Sequence, residues 1–339
     1  MTREGILTGG TWCVDRNVLL DRWPEENGRA DIVSAEQGGG GSGCNLAIAM
    51  KKLAPDMPVA TIALVGDDAD GRFLIEEADK NGIDRRRMRT TAQSATDYTF
   101  AFASAATGRR THISWFGTSH LLTPDDFDFD GDSHRIFHLG LPGIHRLMDG
   151  PWQGDANGWV TTLKQAKAAG LVTNLELASI APERLAALVR PCLPHLDLLV
   201  VNDAEIGGIA GIETVRNGTT DTEACVMAAR KALEMGAMEH VAVHFPTGAV
   251  VACRDGSVLA KPSVAVPPAE LKGANGAGDA FAAGFLYGFH EAWPLDRALA
   301  LAHATAAASL RQISTTASIG SWQDCLALAE RWGWRPSLA

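Results

Sequence analysis

The stretch LKGANGAGDAFAAGFLYG, residues 271–288, combines three closely spaced glycines with an apolar segment of helical period. Its aromatic residues fall on one face of the predicted helix, at Phe281, Phe285 and Phe289. Small residues form a second stripe, at Ala280, Gly284 and Gly288. Because glycine inside a helix costs about 1 kcal/mol relative to alanine, the two glycines of this stripe predict that a neighbouring backbone packs closely against the helix.

The turn before this helix carries groups that can bind an anion. The backbone N–H groups of Gly276, Ala277 and Gly278 lie at the positive end of the predicted helix. The same position predicts a low pKa for Asp279. A carboxylate beside an anion site also suits a residue that handles a proton, as phosphoryl transfer requires. The stretch therefore predicts either a tight turn into a helix or a phosphoryl-transfer site.

Composition restricts the class of partner. The 339 residues are 46% hydrophobic and 21% charged, with a formal net charge of −10. This charge argues against binding to nucleic acid or to an anionic membrane surface, and no apolar run is long enough to cross a bilayer. The first residues lack an export signal, and the six cysteines form no CxxC pair. We expect a cytoplasmic protein with reduced thiols and small-molecule partners.

The order of apolar segments predicts the fold class. Segments of strand length alternate with longer segments of helical period, which is typical of a parallel sheet covered by helices. Two stretches, near residues 11–37 and 95–118, alternate with period two around turns and predict antiparallel strands with one wet face. Without a visible linker or repeat, we expect one α/β domain over residues 1–339 with a minor lid of strands.

Several segments resemble a known family in sequence order. GAGDAFAAGFL, residues 276–286, resembles the C-terminal signature DTxGAGDxFxxGFL of the ribokinase-like (PfkB-type) carbohydrate kinases. GGGGSGCNLAIAMKKL, residues 38–53, is similar to their N-terminal signature GGxGxNxAxxxxxLG, and residues 66–71 and 202–205 match further segments. The resemblance implies a ribokinase-like three-layer sandwich with a mostly parallel central sheet and a small β-strand lid. It also implies ATP-dependent phosphorylation of a carbohydrate hydroxymethyl group.

The resemblance assigns roles residue by residue. Asp279 would be the catalytic base, and the backbone amides of Gly276, Ala277 and Gly278 would form the anion hole. The sugar would contact Asp15, Gly40, Gly41 and Asn45. ATP and its magnesium would lie near Asn202, Glu205, Gly248 and His303. Among these, Glu205 would hold Mg²⁺ through water, because magnesium keeps several waters.

On the nucleotide side the sequence departs from the family pattern. Gly273-Ala274 replaces the Asp-Thr that precedes GAGD, which argues against activation by a monovalent cation. Asn275 is common in adenosine-kinase-like members, so a nucleoside acceptor stays open as an alternative. The segment VHFPTG, residues 243–248, keeps only the last glycine of the usual TxGxxG.

On the acceptor side, Ser42 stands where kinases of phosphorylated sugars often carry lysine. A phosphorylated acceptor would therefore need another cation, for which Arg109 and Arg110 in the lid turn are candidates, although an exposed arginine pair is usually solvated. Lids of this family sometimes pair across a dimer, so a homodimer through the lid is a further expectation.

The sequence argues against three other interpretations. Residues 38–43 satisfy the GxGxxG pattern of dinucleotide-dependent dehydrogenases, but this interpretation leaves GAGDAF unexplained. A P-loop kinase is excluded because no lysine follows a glycine. A sugar sensor without turnover would not need Asp279. The histidines His138, His240 and His244 are interpreted as structural.

Overall fold

Within residues 3–107, 110–273 and 276–338, which the computed structural model describes, nine strands form a central sheet and four form a smaller one. The strands are β1 Ile6–Gly10, β2 Cys13–Leu20, β3 Ile32–Gly40, β4 Val59–Gly66, β5 Asp84–Thr91, β6 Tyr98–Ser104, β7 Arg110–Trp115, β8 Ile136–Gly140, β9 Val172–Leu175, β10 Leu198–Asn202, β11 Val215–Arg216, β12 Thr219–Thr220, β13 His240–Phe245, β14 Gly248–Cys253 and β15 Val258–Pro262. The α-helices are α1 Ser42–Leu53, α2 Ala69–Lys80, α3 Gly158–Ala168, α4 Pro182–Val189, α5 Asp203–Ala210, α6 Thr222–Met235, α7 Ala277–His290, α8 Leu295–Ser309 and α9 Trp322–Trp332.

The central sheet has the strand order β15-β14-β13-β10-β9-β8-β1-β4-β5. The seven strands from β13 to β5 in this order are parallel to one another. At the other edge, β14 is antiparallel to β13 and β15 is antiparallel to β14. The mostly parallel α/β sheet predicted from the alternation of segments is therefore confirmed. None of the helices in the described part of the chain is long and apolar enough to cross a membrane.

Helices cover both faces of this sheet and create two hydrophobic cores. In β1, Ile6 belongs to the core shared with α1, α7 and α8, whereas Leu7 belongs to the core shared with α3 to α6. This division follows from the alternation of side chains along a strand. The close packing predicted for the small-residue stripe of α7 is present, because a Cβ on Gly284 would lie 2.7 Å from the Cα of Ala302 in α8.

The smaller sheet has the order β3-β2-β6-β7. Its outer pairs are antiparallel, as predicted, but the central pair β2–β6 is parallel. The two hairpins were expected only as antiparallel strands, and the parallel pair arises because the chain crosses through β4, α2 and β5 between them. That the whole chain forms one kinase domain, with lid segments near residues 11–37 and 95–118, stays a prediction.

The parallel strands bring chemically important residues to one edge of the central sheet. Ligands of open α/β sheets bind at the carboxyl ends of the strands. Here Thr11 follows β1, Leu141 follows β8, Glu176 follows β9 and Asp203 follows β10. Because β9 lies between β8 and β10, Glu176 lies near the middle of this edge.

Candidate active site

The amino end of α7 forms the turn that the sequence predicts. Gly276 caps the helix with a φ of 71°, in the left-handed region. A Cβ at this position would lie 2.6 Å from the Cβ of Thr315, so the turn requires glycine for both its conformation and its close approach. The first N–H groups of a helix have no partner within the helix. Ala277 and Gly278, which begin α7, therefore present their amides at the cleft that they line.

Asp279, in the first turn of α7, is joined to the other predicted signature. Its Oδ2 accepts a hydrogen bond from Asn45 Nδ2 at 2.7 Å. Asn45 Oδ1 in turn accepts from Thr315 Oγ1 at 2.8 Å. Asn45 is buried on α1, so its amide is held in place on both sides. The glycine-rich segments near residues 40 and 278 thus meet at one carboxylate.

The pKa of Asp279 is shifted in the opposite direction from the sequence-based prediction. Removal of the carboxylate from water and the nearby Glu176 raise its pKa well above the ordinary value, and the hydrogen bond from Asn45 lowers it by less. The prediction of a low pKa was therefore wrong. The helix dipole acts over the first turn only and is worth about 1 kcal/mol or less, whereas desolvation beside a like charge shifts a carboxyl by several units.

Glu176 is a site residue that the sequence analysis missed. Its carboxyl group is in hydrogen-bond contact with Asp279. Its Oε2 also lies 2.8 Å from His138 Nε2, and Asn174 Nδ2 lies 2.9 Å from His138 Nδ1. Burial lowers the pKa of His138 to about 4, so the imidazole is neutral near pH 7. Asn174 then donates to Nδ1, and His138 donates its Nε2–H to Glu176.

The interpretation of His138 as a structural histidine is thus incomplete. The side chain is fully buried in β8, as a core residue would be, but it binds a carboxylate at the site. The only signal in the sequence was that Glu176 directly follows a buried strand. Which strands would lie beside it depended on the strand order, which the sequence did not disclose.

Asp15 lies on the small sheet, opposite Gly38 of β3. A Cβ at Gly40 would overlap the Asp15 carboxyl group, so only glycine fits at this position of β3. Cys13 Sγ donates a weak hydrogen bond to Asp15 Oδ1 at 3.6 Å. Burial, with a contribution from the charge of Asp279, raises the pKa of Asp15 to about 6. Gly41 follows with a φ of 86° and leads directly into α1, which carries Asn45.

A cleft of about 750 Å³ opens beside the amino end of α7. Its lining includes Asn202, Ala277, Gly278, Phe281 and His303. His303 is buried, with its ring edge-on to Phe281 at 5.1 Å between centroids. Its Nε2 has no hydrogen-bond partner among the residues that the structure describes. Burial lowers its pKa to about 3, so the His303 imidazole is neutral near pH 7.

The predicted phosphate-side residues Asn202 and Glu205 form a capping box at the start of α5. Asn202 Oδ1 accepts from the Glu205 N–H at 2.8 Å, and Glu205 Oε2 accepts from the Asn202 N–H at 2.9 Å. Burial raises the pKa of Glu205 to about 7, with smaller contributions from Asp203 and Asp279. Both residues therefore have a structural role in addition to any role towards a nucleotide.

Gly248 lies at the start of an antiparallel strand of the central sheet. It begins β14 and packs against the backbone of Lys261 and the side chain of Leu338, and it does not belong to the cleft lining. The predicted contact between Gly248 and a nucleotide stays a prediction. By contrast His244, interpreted as structural, lines the cleft and lies 5.0 Å from the Phe281 ring.

The structure describes only some of the residues at which the sequence departs from the family pattern. Gly273 lines the cleft, whereas Ala274, Asn275 and Arg109 lie outside the described residues, and so does the side chain of Arg110. Ser42 begins α1 and its Oγ is buried with no hydrogen-bond partner in the described part of the chain. No cluster of three or more potential metal ligands was found among residues 3–107, 110–273 and 276–338.

The fold and the site together define a class of enzyme, the kinases that phosphorylate a hydroxyl group of a small molecule on a ribokinase-like α/β scaffold. The family model for pfkB family carbohydrate kinases matches residues 11–322, and the chain belongs to this family. The suspected resemblance and the kinase activity are thereby confirmed. The GxGxxG interpretation is wrong, because residues 38–40 end β3 of the small sheet and residues 42–43 begin α1, so the segment does not follow the first strand of the parallel sheet.

Individual relatives give the same picture. The chain is 26% identical over 302 residues to the ATP-dependent ribose-1-phosphate kinase of Halopiger xanaduensis, covering 89% of this chain and 90% of that protein. It is 26% identical over 312 residues to the 5-dehydro-2-deoxygluconokinase of Geobacillus kaustophilus, covering 90% and 87%. The structure of Arabidopsis thaliana ribokinase with ribose and ATP superposes with a TM-score of 0.77 at 22% identity, covering 97% of this chain and 99% of that one.

Proposed function

We propose that this kinase transfers the γ-phosphoryl group of ATP to a hydroxymethyl group of a carbohydrate. The observation that carries the proposal is the position of Asp279, which joins the amide-lined turn of α7 to Asn45 on α1. The 750 Å³ cleft is lined by the preceding residues Ala277 and Gly278, and Glu176 and Asp15 lie near the Asp279 carboxylate. A phosphate donor and a hydroxyl acceptor would therefore meet at Asp279.

Asp279 would act as the catalytic base. Its raised pKa makes the carboxylate a stronger proton acceptor than an exposed aspartate. In a loose transition state the hydroxyl proton moves late, so the base chiefly orients the acceptor and then takes the proton. The amides of Gly276, Ala277 and Gly278 would stabilise the charge of the transferring phosphoryl group.

ATP and magnesium fit the residues around the cleft. The cleft suits an adenine base, because its lining combines apolar side chains with His303 and Phe281. Glu205, with Asn202 beside it, would hold Mg²⁺ through water, because Mg²⁺ keeps several waters and prefers oxygen groups. Bound Mg²⁺ would neutralise charge on the phosphate oxygens. Dependence on a monovalent cation is not proposed.

Asp15, Gly40, Gly41 and Asn45 would hold the acceptor. Asp15 and Asn45 provide hydrogen-bonding groups for hydroxyls, and the glycines allow the backbone to approach the ring. A nucleoside acceptor remains the second candidate, since the ribose of a nucleoside presents the same hydroxymethyl group. A sensor without turnover is disfavoured, because it would not need a carboxylate at Asp279 beside the amides that begin α7.

The test is consumption of ATP with a panel of acceptors. Pentoses, hexoses, keto-deoxy acids, nucleosides and sugar phosphates would be compared at saturating Mg²⁺ and ATP, with product identified by mass spectrometry. We expect one class of acceptor to give turnover with a phosphate added to a hydroxymethyl carbon. Binding of a sugar without ATP consumption across the panel would contradict the proposal.

Gly40→Ala is expected to weaken acceptor binding. The added Cβ would displace the Asp15 carboxyl group, and loss of one hydrogen bond to a charged group corresponds to about 10- to 100-fold in affinity. KM for the acceptor should rise by that factor while KM for ATP changes little. The matched control is Gly38→Ala on the same strand, where the nearest atom to the new Cβ is Ser314 Oγ at 3.8 Å. Equal KM values for the two variants would contradict the assignment.

We also propose that two copies associate through the small sheet, in a cytoplasmic enzyme. Large apolar side chains are exposed on or beside this sheet, at Trp23, Ile32, Val33, Ile113 and Trp115. Exposed apolar patches of this kind are typical of interaction surfaces. Sedimentation velocity at micromolar concentration would test this association. A sedimentation coefficient that corresponds to a single chain would contradict the proposal.

A further inference from the structure

Three carboxylates converge on the acceptor side of the proposed reaction centre: Asp15 from β2, Glu176 after β9 and Asp279 from α7. Apart from the contact between Glu176 and Asp279, their hydrogen-bond partners are neutral groups, namely the Cys13 thiol, the His138 imidazole and the Asn45 amide. None of the three is paired with a lysine or arginine among the side chains that the structure describes. The acceptor would therefore enter an acidic pocket.

Glu176 is partly exposed, whereas the histidine that supports it is not. Its side chain keeps 16% of its surface accessible, whereas the side chain of His138 keeps none. A Cβ added at Gly140 would lie 3.3 Å from the Cβ of Glu176 and 2.7 Å from Ser42 Oγ. Gly140, Ser42 and Glu176 thus adjoin one another, and Ser42 brings a hydroxyl where a lysine would have brought a positive charge.

We propose that Glu176 restricts this kinase to uncharged polyol acceptors, by presenting its carboxylate to acceptor hydroxyls beside Asp279. This inference rests on the proposed kinase function and names its acceptor class. A carboxylate accepts hydrogen bonds from hydroxyls through both oxygens. A phosphate or carboxylate on the acceptor would instead meet like charge in a poorly hydrated pocket, where such repulsion is strong. His138 and Asn174 are positioning residues, since they fix the orientation of Glu176.

The surrounding charges agree with this assignment. The titratable groups that face the Glu176–Asp279 pair from other elements are Asp15 of β2, Cys44 of α1, His138 of β8 and Glu205 of α5. Burial raises the pKa of Glu176 to about 7, with a smaller increase from the charge of Glu205. His138 is neutral at this pH, and no other member of the set can become a cation. The raised pKa values of Glu176 and Asp279 therefore favour one proton shared between the two carboxyl groups.

The raised pKa of the proposed base determines how the activity depends on pH. The proposed base acts only when ionised, so its raised pKa predicts that activity is lost as pH falls through that pKa. Removing the charge of Glu176 removes one cause of the increase. The acid limb of kcat/KM should therefore shift to lower pH in Glu176→Gln, which a residue with a purely structural role would not produce.

The experiment compares wild type with Glu176→Gln and with Glu183→Gln, an exposed carboxylate in the first turn of α4. The probes are the best uncharged acceptor from the panel and its nearest sugar acid and sugar phosphate. We expect the wild type to prefer the uncharged acceptor, and Glu176→Gln to lose about 10- to 100-fold in kcat/KM for it. For the anionic acceptors, kcat/KM of Glu176→Gln should be unchanged or higher than that of wild type. Glu183→Gln should match wild type with every acceptor.

Two results would overturn the inference: a wild type that prefers an anionic acceptor, or a folded Glu176→Gln with the acceptor ratio and acid limb of wild type. Should this variant fail to fold, as judged by circular dichroism, the acceptor preference of the wild type decides alone. Absence of turnover with every acceptor would instead refute the proposed function, so the two failures are distinguishable.

Discussion

Asp279→Asn is expected to lower kcat by about two to four orders of magnitude, the range for loss of a general base. The amide can still accept the hydrogen bond that Asn45 Nδ2 donates at 2.7 Å, so the geometry of the turn should persist. It cannot take the hydroxyl proton. Affinity for the acceptor and for ATP should change little, because the variant removes the proton acceptor and leaves the binding groups in place. Steady-state kinetics and calorimetric titration of both ligands measure the two effects.

The stability of this variant provides an independent check. Asp279 lies in contact with Glu176, and burial beside a like charge raises its pKa. Replacing it with a neutral amide removes this repulsion, so the free energy of unfolding at pH 8 should be unchanged or higher. Glu223→Gln, an exposed first-turn acid of α6, serves as the control and should keep wild-type kcat. Retained turnover in Asp279→Asn would remove its role as base.

The sequence could predict the parts of the site that depend on local chain geometry. The glycine-rich turn at residues 276–278 and the helix after it follow from glycine spacing and apolar period, and the structure places them as expected. The parallel sheet follows from the alternation of strand and helix segments. Asn45 and Asp279 were assigned through the resemblance, but their hydrogen bond across 234 positions of sequence required the fold.

What the sequence could not predict depends on which elements become neighbours. Glu176 and His138 are 38 residues apart, and they meet because β8 and β9 are adjacent. Neither residue belongs to a recognisable motif. The pKa of Asp279 was predicted with the wrong sign for the same reason. Local position at a helix terminus was known, whereas the desolvation and the charge of Glu176 come from tertiary contacts.

Gly276→Ala is expected to lower kcat by about 10²- to 10³-fold, the effect of losing oxyanion-hole donors. A side chain at φ 71° is strained, and the new Cβ would lie 2.6 Å from the Cβ of Thr315. The turn must then move, and the amides of Ala277 and Gly278 move with it. Thr315 also holds Asn45, which binds Asp279, so the base is displaced as well. Measured kcat, together with the free energy of unfolding from urea titration, reports the effect.

Gly256→Ala separates the two causes of this loss. Gly256 has a φ of 90°, and a Cβ there would meet no atom within 4 Å. The backbone strain of a left-handed non-glycine residue, about 1–3 kcal/mol, should therefore appear in both variants as reduced stability. Only Gly276→Ala should lose turnover, because only there does the strained turn supply the amides beside Asp279. If both variants lost the same stability and both kept wild-type kcat, the turn at 276–278 would not be the anion hole.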